Sequence, residues 1–315
     1  MKYLKFFTIF TLLCLLIVAS FYTIKYLVFS PKMAEVRINE APEKELSSAE
    51  ANINHGADNY QRGQYDEAIS DFSKAIEINP RYAQAYLNRG TAYHRIGQYE
   101  QAISDLNNAI EINPRYAEAY FNRGVVYGKG KQQYNQAISD FTKAIEINPA
   151  YAEAYTNRGN AYATQENYDQ AISDYNESLK INPRLTETYN NRGIAYGKGK
   201  GQHDKAILDF SKAIEIDPMY AEAYANRGVA YGILGQYDKA ISDFNKAIEI
   251  NPTYAEVYFN KALVFEKTGR VREAVEVYKE FIQHAPPQHS LPIEHARQRI
   301  RKLEGSYGKR KPSEP

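Results

Sequence analysis

Tryptophan is absent from this 315-residue chain, and cysteine occurs once, as Cys14 within an apolar run. A single thiol excludes an internal disulfide framework and any zinc site built from several cysteines. An excess of one charge sign is missing as well: 39 Lys and Arg stand against 38 Asp and Glu. Such a balance lacks the basic field that phosphate-backbone binding needs, so no nucleic-acid partner is expected. Arranged catalytic groups are also wanting. His284, His289 and His295 lie close in sequence, but Pro286 and Pro287 interrupt any helix that would align them, and no carboxylate or cysteine is set out with them. No Ser-His-Asp or Cys-His arrangement stands out. The sequence implies no catalytic residue, no metal and no cofactor.

What the chain has instead is repetition. Pro80, Pro114, Pro149, Pro183, Pro218, Pro252 and Pro286 fall 34 or 35 residues apart, and each closes a near copy of one segment. The clearest copy, Ala83 to Pro114, carries Asn-Arg-Gly, then Tyr93, Gly97, Tyr99, Ala102, Leu106, Ala109 and the closing Asn-Pro. Most of the 28 tyrosines recur at this period, as packing positions. The pattern resembles the tetratricopeptide repeat, with Tyr where that family has Trp, over residues 49–286 in seven units. The resemblance implies an all-α fold: a right-handed superhelical solenoid of helix-turn-helix units, each touching only its neighbours. It implies protein partners without identifying one.

Counting the Gly of Asn-Arg-Gly as position eight and the closing Pro as position thirty-two, each unit holds two helices. Gly63, Gly97, Gly235 and Gly269 are placed to stop the first, and the proline ends the second. Gly90, Ala102 and Ala109 allow close approach of the pair. The stretches Gly128-Lys129-Gly130-Lys131 and Gly197-Lys198-Gly199-Lys200-Gly201 invite a phosphate-loop reading, but no Ser or Thr follows the lysine and the earlier glycine is missing. They mark one-residue insertions between the helices of alternate units. Ser47 with Glu50 reads as a capping box at the start of the array. At the other end Ile293, Ala296, Ile300 and Leu303 form the apolar stripe of a capping helix over 287–305, with Arg297, Arg299, Arg301 and Lys302 on its solvated faces, followed by a disordered basic tail over 306–315.

One position departs from the family. Where position seven normally packs a Leu, this chain has Arg89, Arg123, Arg158, Arg192 and Arg227, and each of those units also carries an aspartate, Asp105, Asp140, Asp174, Asp209 or Asp243. A partly buried guanidinium needs an acceptor, so a ladder of structural Arg–Asp pairs within units is expected. In the seventh unit Lys261 and Val277 replace both members together. The competing reading has both side chains reaching water, the arginine stem merely covering apolar surface.

Positions two, five, nine, twelve and thirteen of the first helix fall on the arc that lines the concave groove in this family. They vary most between units. The expected partner-binding residues are Leu87, Thr91, His94, Phe121, Val125, Lys129, Asn160, Asn190, Ile194, Lys198, Val229 and Phe259, giving a groove with apolar ends and a polar middle. Lys129 and Lys198 are candidates to clamp a carboxylate, though lysines at a helix C-terminus also suit the dipole there. The asparagines at position six recur in every unit, which favours a repeat-building hydrogen bond. The row Glu118, Glu153, Glu187, Glu222, Glu256 reads as a solvated rim, and the alternative for Phe259 is cover by the capping helix.

Residues 6–24 are nineteen in number and uncharged, and Tyr26–Phe29 extends the run past Lys25. As a helix it spans roughly 30 Å, the thickness of a bilayer core. It is expected to be a single-pass transmembrane anchor over 1–29, followed by a flexible linker over 30–48. Flanking charges nearly tie, and a short cytoplasmic head places the array on the extracytoplasmic side. The alternative is a cleaved signal ending near Val18-Ala19-Ser20 and a secreted or periplasmic form. The expected role is a membrane-tethered scaffold that binds a peptide or helix of a partner in its groove. The alternative is an accessory subunit of an envelope assembly, secretion or membrane-enzyme complex that binds through its convex face. Self-association through the terminal units stays open.

Overall fold

In a computed structural model of the chain, residues 43–286 and 290–308 are described. The anchor expected at 1–29, the linker from 30 to 42 and the tail from 309 lie outside the described residues. Those described form fifteen α-helices and no strand. Seven antiparallel hairpins follow one another: α1 (Glu43–Gln61) with α2 (Tyr65–Ile78), α3 (Ala83–Arg95) with α4 (Tyr99–Ile112), α5 (Ala117–Val125) with α6 (Tyr134–Ile147), α7 (Ala152–Thr164) with α8 (Tyr168–Ile181), α9 (Thr186–Ile194) with α10 (His203–Ile216), α11 (Ala221–Ile233) with α12 (Tyr237–Ile250), and α13 (Ala255–Lys267) with α14 (Val271–His284). A last helix, α15 (Ser290–Gly308), closes the row. Among the described residues no helix is long and apolar enough to cross a membrane.

Both helix ends are written in local chemistry. The second helix of the first unit stops at Asn79, whose backbone turns extended (φ −132°, ψ 91°), as suits a residue before proline. The Asn79 carboxamide oxygen then accepts the Arg81 N–H at 3.0 Å, forming a side-chain turn across Pro80. The same bond recurs at Asn113, Asn148, Asn182, Asp217 and Asn251. First helices end in a left-handed residue: Gly97 has φ +79°, its N–H meets the His94 carbonyl, and the Gln98 N–H reaches back to the Tyr93 carbonyl. These paired bonds satisfy carbonyls that the helix end would leave open. In the fourth unit a glutamate, Glu166, holds this conformation at φ +61°.

The 35-residue units resolve their extra residue differently from the sequence expectation. It does not lengthen the connection. It widens the last turn of the first helix into a π turn, Val126–Gly130 in the third unit and Ala195–Gly199 in the fifth. The turn presses Gly130 and Gly199 against rings of the preceding unit. A Cβ at Gly130 would stand 2.8 Å from Tyr99, and one at Gly199 would overlap Tyr168.

Within each of the first six units the core forms between a glycine of the first helix and a large residue of the second; in the seventh Ala262 takes the glycine's place. Ala68, Phe72 and Ala75, at i, i+4 and i+7 of α2, are almost wholly buried. Phe72 lies so close to Gly56 that a Cβ there would sit 2.6 Å from its ring. Gly124 with Phe141, Gly159 with Tyr175, Gly193 with Phe210 and Gly228 with Phe244 repeat the arrangement. Ile293, Ala296, Ile300 and Leu303 of α15 pack against the last cluster, with Ala296 and Ile300 buried. Two expectations at the ends need correction. Helix α1 already runs from Glu43, so Ser47 lies inside it and does not cap it, because three helical residues and more precede it. Arg299 is not merely solvated: it is one-third exposed and donates to Glu266 at 2.7 Å, beside a 3.1 Å bond from the Tyr278 hydroxyl to the same carboxylate.

Candidate functional site

The position-seven arginines form a ladder that ties units together. Arg89 donates from Nε and Nη2 to the two oxygens of Asp105 at 2.7 and 2.8 Å, and from Nη1 to Ser73 Oγ of the preceding unit at 2.9 Å. Arg123, Arg158, Arg192 and Arg227 repeat the two-pronged bond with Asp140, Asp174, Asp209 and Asp243. Their third donors reach Asn107, Thr142, Asn176 and Ser211, always one unit back. Each guanidinium also lies 5.4 to 5.7 Å from the ring of the tyrosine three residues before it. The aspartate side chains are only 6 to 9 % exposed, which removes the reading in which both partners reach water. His55 and Asp71 hold the equivalent places in the first unit, 2.5 Å apart.

Position five is packed away from the middle of the groove, and of its residues Phe259 lines a hollow of about 680 Å³ beside the capping helix. Leu87 is buried in the cluster with Leu106 and Val126. Phe121 packs against Phe141 and Tyr151, and Phe259 against Tyr278, Phe281 and His295 of the capping helix. Asn190 is fully buried; it donates to Glu222 at 3.0 Å and accepts from Asn226 at 3.0 Å, both of the next unit. Thr156 shares buried hydroxyl contacts of 2.7 and 2.8 Å with Ser178 and Thr188. The wheel angle alone does not set position five apart, since it lies about 40° from position nine; the next unit covers it, as Glu222 and Asn226 cover Asn190.

The open stripe therefore runs through positions six, nine and thirteen. Across the middle units it holds three adjoining hollows. The first, about 360 Å³, is lined by Val125, Lys129, Asn157, Asn160 and Thr164 among others. The second, about 500 Å³, shares Asn160 and Thr164 and adds Asn191, Ile194 and Lys198. A third of about 280 Å³ shares Ile194 and Lys198 and is floored by Phe210, Val229 and Ile233. So the structure brings together Val125, Lys129, Asn160, Ile194, Lys198 and Val229 of the sequence-derived set. Thr91 is occupied with the Leu87 carbonyl and Asn122, and His94 stands half-buried against Tyr99. Burial, with Arg95 and Lys129 nearby, holds the His94 imidazole below its ordinary range.

Sequence reasoning missed Thr164, His203 and Ile233, which line the same hollows, and took Asn157, which also lines the first, for a repeat-building hydrogen bonder. The signal was position thirteen, which reads Arg95, Lys129, Thr164, Lys198 and Ile233 along the array. Asn160 is a structural acceptor too: the Tyr175 hydroxyl at 2.8 Å and the Asn191 amide at 3.0 Å both donate to it. Tyr175 stands where five other units have Phe or Leu; the seventh has Tyr278, whose hydroxyl goes to Glu266 in place of an asparagine. Among the described residues no group of three or more His, Cys, Asp or Glu is placed to hold a metal.

Comparison with known proteins agrees with this architecture. Models described as TPR repeat match residues 56–97, 91–130, 131–166 and 200–232, and tetratricopeptide repeat models match 152–185, 221–254 and 244–276. A comparison with curated proteins gave no match. Similar solved structures include a tetratricopeptide repeat protein from Parabacteroides merdae, with 20% identity, 82% of this chain and 99% of that one covered, and a TM-score of 0.59. PilW, a type IV pilus biogenesis factor, is 20% identical over 66% of this chain and 96% of its own, with a TM-score of 0.61. The anaphase-promoting complex assembly Cut9–Hcn1 gives 19% identity, 79% and 48% coverage and a TM-score of 0.64. At these identities the likeness is one of fold. With the repeat models matching most of the array unit by unit, the chain belongs to the tetratricopeptide repeat family.

Proposed function

We propose that this protein is a non-enzymatic scaffold whose groove takes an extended or helical segment of another protein, and that residues 6–29 tether the array to a membrane with the groove on the extracytoplasmic side. The observation that carries the groove reading is the row of three hollows. They adjoin one another across units whose core positions are nearly identical, yet their lining changes from Val125 to Asn160, Ile194 and Val229. Packing alone asks for uniformity at an equivalent position; a recognition surface asks for difference. The tether rests on the nineteen uncharged residues alone.

The test is crosslink capture from the native membrane, comparing the wild-type chain with Ile194→Glu combined with Val229→Glu. A captured protein should vanish while the circular dichroism spectrum is unchanged. An unchanged captured set would sink the groove reading. The second reading, an accessory subunit held through the convex face, is favoured by Leu208 and Met219, exposed at 69% and 65%. Loss of the partner in Leu208→Ser with Met219→Ser, and not in the groove variant, would establish that reading in its place.

A further inference from the structure

We propose that the side-chain amine of Lys261 is a modification site, acylated by small activated acyl groups of the acyl phosphate class; the proposal is independent of the groove reading. Position seven carries a basic residue in every unit: His55 in the first, arginine in the next five and Lys261 in the seventh. In six units that residue meets an aspartate of the second helix, from Asp71 in the first to Asp243 in the sixth. In the seventh the aspartate's place is held by Val277, 6% exposed within the apolar cluster shared with α15. The polar place one unit back, which elsewhere takes the third arginine donor, is by the same count Asn245. Lys261 is half-buried, with its Nζ 5.8 Å from the centre of the Phe265 ring. Arg270 lies over the same ring at 4.4 Å and donates to Glu273 at 2.9 Å. Among the described residues no carboxylate makes an ion pair with Lys261, so it is the position-seven cation that has kept the burial and lost the partner.

That setting favours the neutral amine, which is the nucleophilic form. Burial holds the Lys261 ammonium below its ordinary range; Glu280 of α14 opposes this, and Arg270 at the start of α14 adds to it. From α12 the equivalent place offers only the uncharged Asn245. Exposed lysines are set the other way: bonds to Glu146, Glu215 and Glu249 push Lys143, Lys212 and Lys246 up, so their amines stay protonated. In the step itself the Nζ lone pair attacks the acyl carbon and a C–N bond forms. The bond from that carbon to the phosphate oxygen breaks, phosphate leaves with the electron pair, and the proton lost from nitrogen passes to water. The product is a neutral amide, which the ring of Phe265 and the apolar side of Val277 accept without a counter-charge. A carbamate formed from carbon dioxide would instead place an anion there. The acyl group is small because the amine is half-buried, and bulky donors reach the exposed lysines first.

The experiment treats the full chain with a limiting amount of acetyl phosphate near neutral pH and follows each lysine by peptide mass spectrometry. Lys261 should be acylated about threefold to tenfold faster than Lys246, and faster than Lys267, the exposed lysine that ends the same helix. Its rate should also reach half its maximum at a lower pH than that of Lys246. Val277→Asp returns the missing carboxylate and should slow labelling of Lys261 severalfold, while Val277→Asn, polar but uncharged, should leave it fast. Both variants put a polar group at a buried position, so circular dichroism checks the fold, and if neither folds the pH profile of the wild-type chain decides. A rate at Lys261 no higher than at Lys267 overturns the proposal, as does a pH profile that coincides with that of Lys246. Fast labelling retained in folded Val277→Asp, or equal slowing by the two variants, overturns it as well, because the lost carboxylate would then not set the reactivity.

Discussion

At the scale of single residues, the Arg–Asp ladder joins stability to register. In the Arg158 rung, Asp174 takes both prongs at 2.8 Å and Thr142 of the unit before takes the third donor at 3.0 Å. Arg158→Leu strands a carboxylate that is 8% exposed, so it should cost about 2–3 kcal/mol, less than a fully buried pair because the guanidinium is 17% exposed. Replacing both residues by Leu leaves no orphaned charge and should cost less than that single change. Thermal and urea unfolding of the two variants measure this; equal losses would show that the residues do not act as a unit. The pairing was legible because both members disappear together at Lys261 and Val277. The third bond was not, since it depends on how units stack. Its trace is the short polar residue at Ser73, Asn107, Thr142, Asn176 and Ser211, which means little until the arginine above it is placed.

At the scale of the element, what terminates the first helix decides where its neighbours sit. Glycines in five units hold the left-handed residue, and the sequence marks four of them directly. Glu166 fills the same place in the fourth unit at φ +61°, and its N–H and that of Asn167 make the same closing bonds to Ala163 and Tyr162. A non-glycine residue there costs roughly 1–2 kcal/mol, partly offset by the entropy glycine loses on folding, so Glu166→Gly should stabilise by about 0.5–1 kcal/mol. A rise in melting temperature is the expected reading. A fall would mean that the glutamate side chain, which lines the second hollow, contributes more than its backbone costs. The π turns were only half legible. Counting reveals one extra residue in the third and fifth units, but its position follows from Gly130 and Gly199 seating on Tyr99 and Tyr168, a contact between units. The same limit explains position five. A helical wheel places Leu87 and Asn190 near the groove arc, and only the neighbouring unit's approach shows that they are covered.

At the scale of the whole molecule, the described hairpins pack mainly on their neighbours, and the last of them is covered by α15. Period, unit boundaries and this seal follow from the sequence because they are properties of one unit repeated. Removing α15 by stopping after Pro286 uncovers Phe259, Phe281 and the apolar cluster into which Ala296 and Ile300 are buried. Each large apolar side chain returned to water forfeits about 1.5–3 kcal/mol, enough to unfold one unit without touching distant ones. Arg299 leaves as well, and with it the bond to Glu266 that steadies the Tyr278 hydroxyl. Hydrogen–deuterium exchange of the truncated chain should show α13 and α14 losing protection while α3 through α10 keep theirs. Uniform loss along the chain would contradict nearest-neighbour coupling. Protection retained in α13 and α14 would mean that their own packing, with Tyr278 and Phe281 exposed by only 0% and 1%, suffices without a lid.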